Sequence, residues 1–112
     1  MQYALMIYAE PGYDEKVPDE ERAGVYAEYE ALATDPRTVK AVQLQPGDTA
    51  TCVQVAGGKT LMTDGPFADT KEVFGGICLI EAANLDEALE MAARVPAARF
   101  GGTVEVRPVV PR

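Results

Sequence analysis

Histidine and tryptophan are both absent from this sequence. Without histidine, a Ser-His-Asp or Cys-His catalytic arrangement is excluded within the chain. The two cysteines, Cys52 and Cys78, are too few for a four-thiolate zinc site. Both lie in apolar, strand-like runs, and neither has a basic neighbour in sequence that would lower its pKa. They read as buried thiols of a reducing compartment, small hydrophobes rather than a redox sensor or a disulfide framework. Long apolar runs are missing too: none approaches the ~20 residues of a membrane helix. The opening Met-Gln-Tyr-Ala-Leu-Met-Ile-Tyr-Ala-Glu has no basic segment and turns acidic at Glu10, unlike a secretory signal. The expectation is a cytoplasmic protein with no membrane contact, no metal and no cofactor.

Positive charge is scarce. Ten Lys and Arg stand against 18 Asp and Glu, a formal net charge of −8. Nucleic-acid binding draws most of its affinity from a basic field, so no nucleic-acid partner is expected. The charge is also segregated. Residues 10–30 carry Glu10, Asp14, Glu15, Asp19, Glu20, Glu21, Glu28 and Glu30 against Lys16 and Arg22. Residues 94–112 carry Arg94, Arg99, Arg107 and Arg112 against Glu105. This is a solvated acidic face, or one of two complementary patches that meet between subunits.

The 112 residues fit a single domain spanning 1–112. Residues 2–9 predict a strand with Tyr3, Leu5 and Ile7 on one face and Ala4, Met6 and Tyr8 on the other. Both faces are apolar, so cover is expected on both sides. Glu10 to Pro18 reads as a loop. Residues 19–34 predict a helix, with acids behind Pro18 at its start and Asp35-Pro36 at its end. Ala23, Tyr26, Ala27, Glu30 and Ala33 follow helical spacing, and Val25, Tyr29 and Leu32 widen the apolar stripe. Residues 38–45 read as a strand. Residues 50–55 and 60–63 read as a hairpin around Gly57-Gly58. Residues 74–82 read as another strand. Asn84 caps a helix running to about Val95, with Glu87 as its capping-box partner and Leu85, Ala88, Leu89 and Ala92 facing inward. Residues 103–109 form the last strand, and Pro108 puts its end at a sheet edge. The order is β-α-β-β-α-β with an inserted β-hairpin, an α+β, ferredoxin-like pattern. Both helices then lie on one sheet face, and a second copy of the chain is the cheapest cover for the other. A homodimer is expected.

One stretch is chemically distinctive. Residues 63–76 read Thr-Asp-Gly-Pro-Phe-Ala-Asp-Thr-Lys-Glu-Val-Phe-Gly-Gly. Asp64-Gly65-Pro66-Phe67 is a turn signal, in which Gly frees the backbone, Pro fixes it and Asp can bond its own backbone. Asp69, Lys71 and Glu72 add charge, and Gly75-Gly76 admits close backbone approach. The plain structural reading is a rigid connection anchored by Phe67. The chain resembles the YCII-related proteins, in the branch named for its Asp-Gly-Pro-Phe signature. The resemblance rests on residues 3–8, Leu44-Gln45-Pro46, residues 63–72, Gly75-Gly76, residues 85–88, and the tail from Pro96 through Val109. It implies a dimeric α+β barrel of ferredoxin-like subunits. Its wider superfamily includes small isomerases, monooxygenases and a dehydrochlorinase acting on ring compounds. A His and an Asp are proposed as catalytic in some members. This chain has no His, so Asp64 is the one candidate the resemblance carries over. Some relatives are encoded beside, or fused to, alternative sigma factors, which implies a regulatory association.

Two functions follow as expectations. The first is an enzyme or binder for small cyclic or anionic metabolites, with its cleft between sheet and helices. Asp64 would be its general base, given desolvation that raises its pKa. Lys71 would hold an anionic group. Tyr8 would donate a hydrogen bond, Arg107 would pair a carboxylate bidentately, and Pro66 and Phe67 would shape the substrate site. Against these stand packing for Tyr8, solvated charge for Lys71, backbone capping for Asp64, and an ion pair with Glu105 for Arg107. The second is a non-catalytic regulatory or protein-interaction module, presenting the acidic helix at residues 19–30 to a basic partner.

Overall fold

The apolar run at the start of the chain forms strand β1 (Gln2–Ala9), an inner strand of a four-stranded sheet. The structure is a computed structural model and describes residues 1–68 and 70–112. After β1 come helices α1 (Tyr13–Lys16) and α2 (Asp19–Thr34), then strands β2 (Thr38–Gln43), β3 (Thr51–Ala56), β4 (Lys59–Asp64) and β5 (Val73–Glu81). Helix α3 (Leu85–Ala93) and strand β6 (Thr103–Pro108) complete the chain. The main sheet has the order β2-β5-β1-β6 with every pair antiparallel, while β3 and β4 form a separate two-stranded sheet. This is the ferredoxin-like α+β arrangement, with a hairpin inserted between β2 and β5.

Local chemistry accounts for most boundaries. Helix α2 starts after Pro18 with Asp19, Glu20 and Glu21 in its first turn, where the helix dipole favours negative charge. Asn84 caps α3 by accepting from the Glu87 backbone N–H at 2.9 Å. The hairpin turns through Gly57 and Gly58, with φ of 57° and 77°, values that L side chains rarely adopt. Strand β6 sits at a sheet edge and ends at Pro108, where a missing N–H costs no ladder bond.

Three expectations need correction. Residues 10–18 are not all loop, because a helical turn forms at Tyr13–Lys16 behind the left-handed Gly12. Helix α2 does not bury its alanine stripe. It buries Val25 and Leu32, with Tyr29 half-buried between them, while Tyr26 points outward. Helix α3 leaves Leu85 and Leu89 48% and 47% exposed. It seats Ala88, Met91 and Ala92 on the sheet instead. Two alanines one turn apart let the helix approach closely, and Met91 fills the space between them.

The core lies on one side of the sheet. Tyr3, Leu5, Cys78 and Ile80 pack against Ala88, Met91 and Ala92 of α3. Leu32 of α2 packs with Val95 and Ala97, joined by Ile7 and Tyr29. The opposite face carries Ala4, Met6, Ile77 and Leu79, set by the pairing of Ala4 with Leu79 and Met6 with Ile77. All four are half-buried. The molecule is correspondingly flat, 46 × 41 × 19 Å. Among the described residues, no helix is long and apolar enough to cross a membrane.

Candidate functional site

A cleft of about 480 Å³ opens between the sheet and helices α1 and α2. Its walls are largely apolar, with Ile7 from β1 and Val25 and Leu32 from α2. Residues 25, 29 and 32 stand four and seven apart on the helix, so they share a face. That face carries Tyr29 into the cleft, and α1 brings Tyr13 to meet it. The two phenol oxygens lie 2.5 Å apart and share a hydrogen bond. Burial is the main cause that pushes both phenols above their ordinary pKa, so near neutral pH they are uncharged donors. Arg22, Asp14, Tyr26, Glu30 and Gln43 supply the remaining polar groups. Arg22 leans on the exposed Asp19 at 3.5 Å, a weak surface pair that leaves its charge available. Cys78 also lines the cleft, and burial pushes its thiol up, which keeps it protonated and inert. The floor includes Gly75 and Gly76. Here β5 bulges: Ile7 pairs with Gly76 and Tyr8 with Phe74, leaving Gly75 without a partner on β1.

A second cleft, about 450 Å³, lies under the turn that follows β4. It brings together Tyr8, Pro66 and Phe67, three residues expected at the substrate site. Tyr8 packs its ring on Phe74, with centroids 5.5 Å apart and planes tilted by 52°. Phe67 does not anchor the turn within this chain, since it is 84% exposed. Asp64 ends β4 opposite Thr51, is exposed, and lines neither cleft. The chain's own atoms therefore do not provide the desolvation that a carboxylate base near neutral pH requires. Lys71 is bound to Glu10 at 2.9 Å, and Lys16 holds the other oxygen of the same carboxylate. Those two ammonium groups, Lys16 foremost, pull the Glu10 carboxyl down to about 2. Arg107 is paired with Glu105 on its own strand and lines neither cleft. Asp69 lies outside the described residues. Cys52 is half-buried, and its thiol donates to the Gly65 carbonyl at 3.2 Å. Among the described residues, no three acidic or thiol side chains converge as metal ligands.

The tyrosine pair is the feature that reading the sequence missed. Tyr29 looked like one more member of a helical stripe, and Tyr13 fell in a presumed loop. A hint lay in an aromatic at residue 13 directly after Pro11-Gly12, where a solvated loop has no use for one.

A family model described as the YCII-related domain matches residues 1–112. An uncharacterised protein of Rhizobium meliloti (strain 1021) is 43% identical over 68 residues, 60% of this chain and 55% of that protein. The match thus spans about half the length of that curated relative. Among solved structures, the 5-chloro-2-hydroxyhydroquinone dehydrochlorinase (TftG) of Burkholderia phenoliruptrix AC1100, in complex with 2,5-dihydroxybenzoquinone, superposes with a TM-score of 0.54. The superposition covers 98% of this chain and 94% of that one at 17% identity, a likeness of fold.

Proposed function

The chain belongs to the YCII-related family, and from that premise we propose that it binds, and as an enzyme acts on, small ring compounds bearing oxygen substituents. The cleft between the sheet and helices α1 and α2 is their site. One observation carries this reading: a largely apolar cleft of about 480 Å³ holding a hydrogen-bonded tyrosine pair. Apolar walls with a few convergent polar groups are the ordinary make-up of a small-molecule site. One phenol donates to the other, which leaves one O–H free to point at a ring oxygen of the ligand. Because burial keeps both phenols protonated, the pair serves as a donor to a carbonyl or phenolate oxygen rather than as a base. Arg22 favours ligands whose ring oxygen is ionised. Asp14 and Glu30 are exposed carboxylates at the cleft that can accept hydrogen bonds from ligand hydroxyl groups. A structural neighbour that acts on a chlorinated hydroquinone supports the ligand class.

The working unit in this reading is a homodimer. Its support is the sheet face around Met6, Ile77 and Leu79, which the chain leaves half-buried.

Thermal shift tests the site. The library holds hydroxylated benzoquinones, phenols, lactones and cyclic carboxylates. A ligand at 100 times its Kd stabilises by about 2.7 kcal/mol, a shift of several degrees at this size. Tyrosine emission gives a second readout, undisturbed by tryptophan. The Tyr13→Phe/Tyr29→Phe double variant keeps the rings and loses the hydroxyls, so its hits should vanish. Hits that persist unchanged in that variant, or a silent library, would refute the reading.

A second reading has its own observation. Asp19, Glu20 and Glu21 at the start of α2 are all exposed, as a surface for a basic protein partner requires. Glu20→Lys/Glu21→Lys should abolish any such complex, and binding that ignores both salt and this reversal rules it out.

A further inference from the structure

The β3–β4 hairpin packs on little besides itself. Its ladder sets Val53 opposite Met62, Val55 opposite Thr60, and Thr51 opposite Asp64. Opposed residues share a face and successive ones switch. Val53, Val55 and Met62 therefore lie on one face, with Asp64 at its base. They are 61%, 69% and 73% exposed. The other face is mixed, with Cys52, Gln54, Leu61 and Lys59. A lone two-stranded hairpin is marginal in water. An apolar one of this kind needs cover, and the described residues leave this face exposed.

The surface area says how much cover is missing. The chain exposes 7725 Å², against about 6,000 Å² for a compact monomer of its mass. The excess of about 1,700 Å² is roughly twice the ~800 Å² that each partner contributes to a standard interface. Its radius of gyration is 15.8 Å, against about 13 Å for a compact domain of this length. Two apolar surfaces lie within that excess, the open sheet face and the hairpin face.

We infer that the hairpin is an arm that lays its Val53–Val55–Met62 face on a second copy of this chain, against that copy's open sheet face around Met6, Ile77 and Leu79. The inference rests on the homodimer reading and deepens it. Charge fits as well as shape. At its β6 edge the open face presents Arg107, opposite Ala4 and beside Glu105, while Lys40 lies on β2 at the opposite edge. The arm brings Asp64 to the Arg107 edge. Asp64, exposed in a lone chain, is then covered beside Arg107 of the partner subunit. Any site that uses Asp64 is incomplete without the second copy.

Sedimentation velocity over a dilution series tests this on the full chain. Val53→Lys/Met62→Lys alters exposed side chains, so folding should survive, and circular dichroism checks it. Gln54→Lys adds charge to the other face as a control. The wild type should sediment as a dimer, the double variant should dimerise at least tenfold more weakly, and the control should match wild type. A wild type that is monomeric at all concentrations overturns both the arm and the homodimer reading. A dimeric wild type with an equally tight double variant overturns the arm alone. Asp64→Arg should weaken the dimer and Arg107→Asp should restore it. Failure to restore overturns the docking site on the sheet face. Ring-ligand binding, measured on the same samples, reports the tyrosine cleft separately.

Discussion

Truncating Leu5 to alanine removes a side chain with no exposed surface from the middle of β1. Leu5 faces Cys78 and Val106 across the sheet and belongs to the cluster seated under Met91 and Ala88. Three carbons lose their burial, about 2.4 kcal/mol at ~0.8 kcal/mol each. The surrounding strands and helix cannot close the gap fully, so a cavity penalty adds to this, for a total of about 3–4 kcal/mol. At about 4 °C per kcal/mol for a domain of this size, Tm should fall by about 12–16 °C. Leu89→Ala is the control that gives the number meaning. Helical periodicity places Leu89 on the inner face, yet it is 47% exposed. Its truncation loses roughly half the transfer term, leaves no enclosed cavity, and gains a few tenths from the better helix former, for about 1 kcal/mol and about 4 °C. Thermal unfolding followed by far-UV circular dichroism, at one protomer concentration, measures both. Equal losses for the two variants would refute the packing argument, as would a Leu5→Ala cost near 1 kcal/mol.

Acid should unfold the protein over a predictable window. Lys16 and Lys71 hold Glu10 down to about 2, and Arg37 holds Asp35 down to about 2. A lowered folded pKa contributes stability above the unfolded value, lost as pH falls through the folded one. Stability should therefore drop between about pH 4.5 and 2, and Glu10→Gln or Asp35→Asn should flatten that limb in acid titrations by circular dichroism. Alkali acts with the opposite sign. Tyr13 and Tyr29 are raised by burial, so their contribution is complete below the ordinary tyrosine value of 10.0 and is lost as pH rises above it. Absorbance at the phenolate band should show both ionising only as the fold opens, a step that the Tyr13→Phe/Tyr29→Phe variant lacks. Two glycines should respond oppositely to alanine in urea unfolding. A Cβ on Gly102 would sit 2.5 Å from the Tyr8 carbonyl oxygen and 2.8 Å from that of Ala97, so Gly102→Ala should cost about 1–3 kcal/mol. A Cβ on Gly24, inside α2, meets nothing within 4 Å, so Gly24→Ala should stabilise by about 0.5–1 kcal/mol.

The architecture was legible where local signals agree with the global arrangement. Strands β1 and β5 are nearly continuous apolar runs, which marks them as the inner pair of a sheet. Asn84, Gly57-Gly58 and Pro108 each perform the local task that their chemistry suggests, whereas the Glu87 side chain faces Arg37 and leaves the capping box half-formed. What misled was the choice of side on a helix. Periodicity shows that α3 has an apolar stripe, but its width spans both the leucines and the alanines. Close approach of helix to sheet selected the smaller residues, and that preference belongs to the pair of surfaces. Helix α1 was illegible for a simpler reason: a single turn between Gly12 and Pro18 is too short to express a period.

The candidate site divides along the same line. Tyr8, Pro66 and Phe67 were foreseeable together because one strand end and one turn carry them. Tyr13 and Tyr29 come from separate elements, and only the docking of α1 on α2 makes them a pair. Asp64 is the instructive case. Its motif predicts a turn, and the backbone bends there through Gly65 at a φ of 97°, but an aspartate acquires general-base character only from desolvation or neighbouring charge. Within one chain its surroundings are solvent, on the same hairpin face as Val53, Val55 and Met62. The chemistry of the most distinctive segment in the sequence therefore depends on what covers that face, whereas the tyrosine pair is brought together by elements of a single chain. A hairpin variant that stays monomeric and still binds a ring ligand would assign binding to the cleft and leave the motif to assembly. Loss of both together would mean that the arm and the cleft belong to one site.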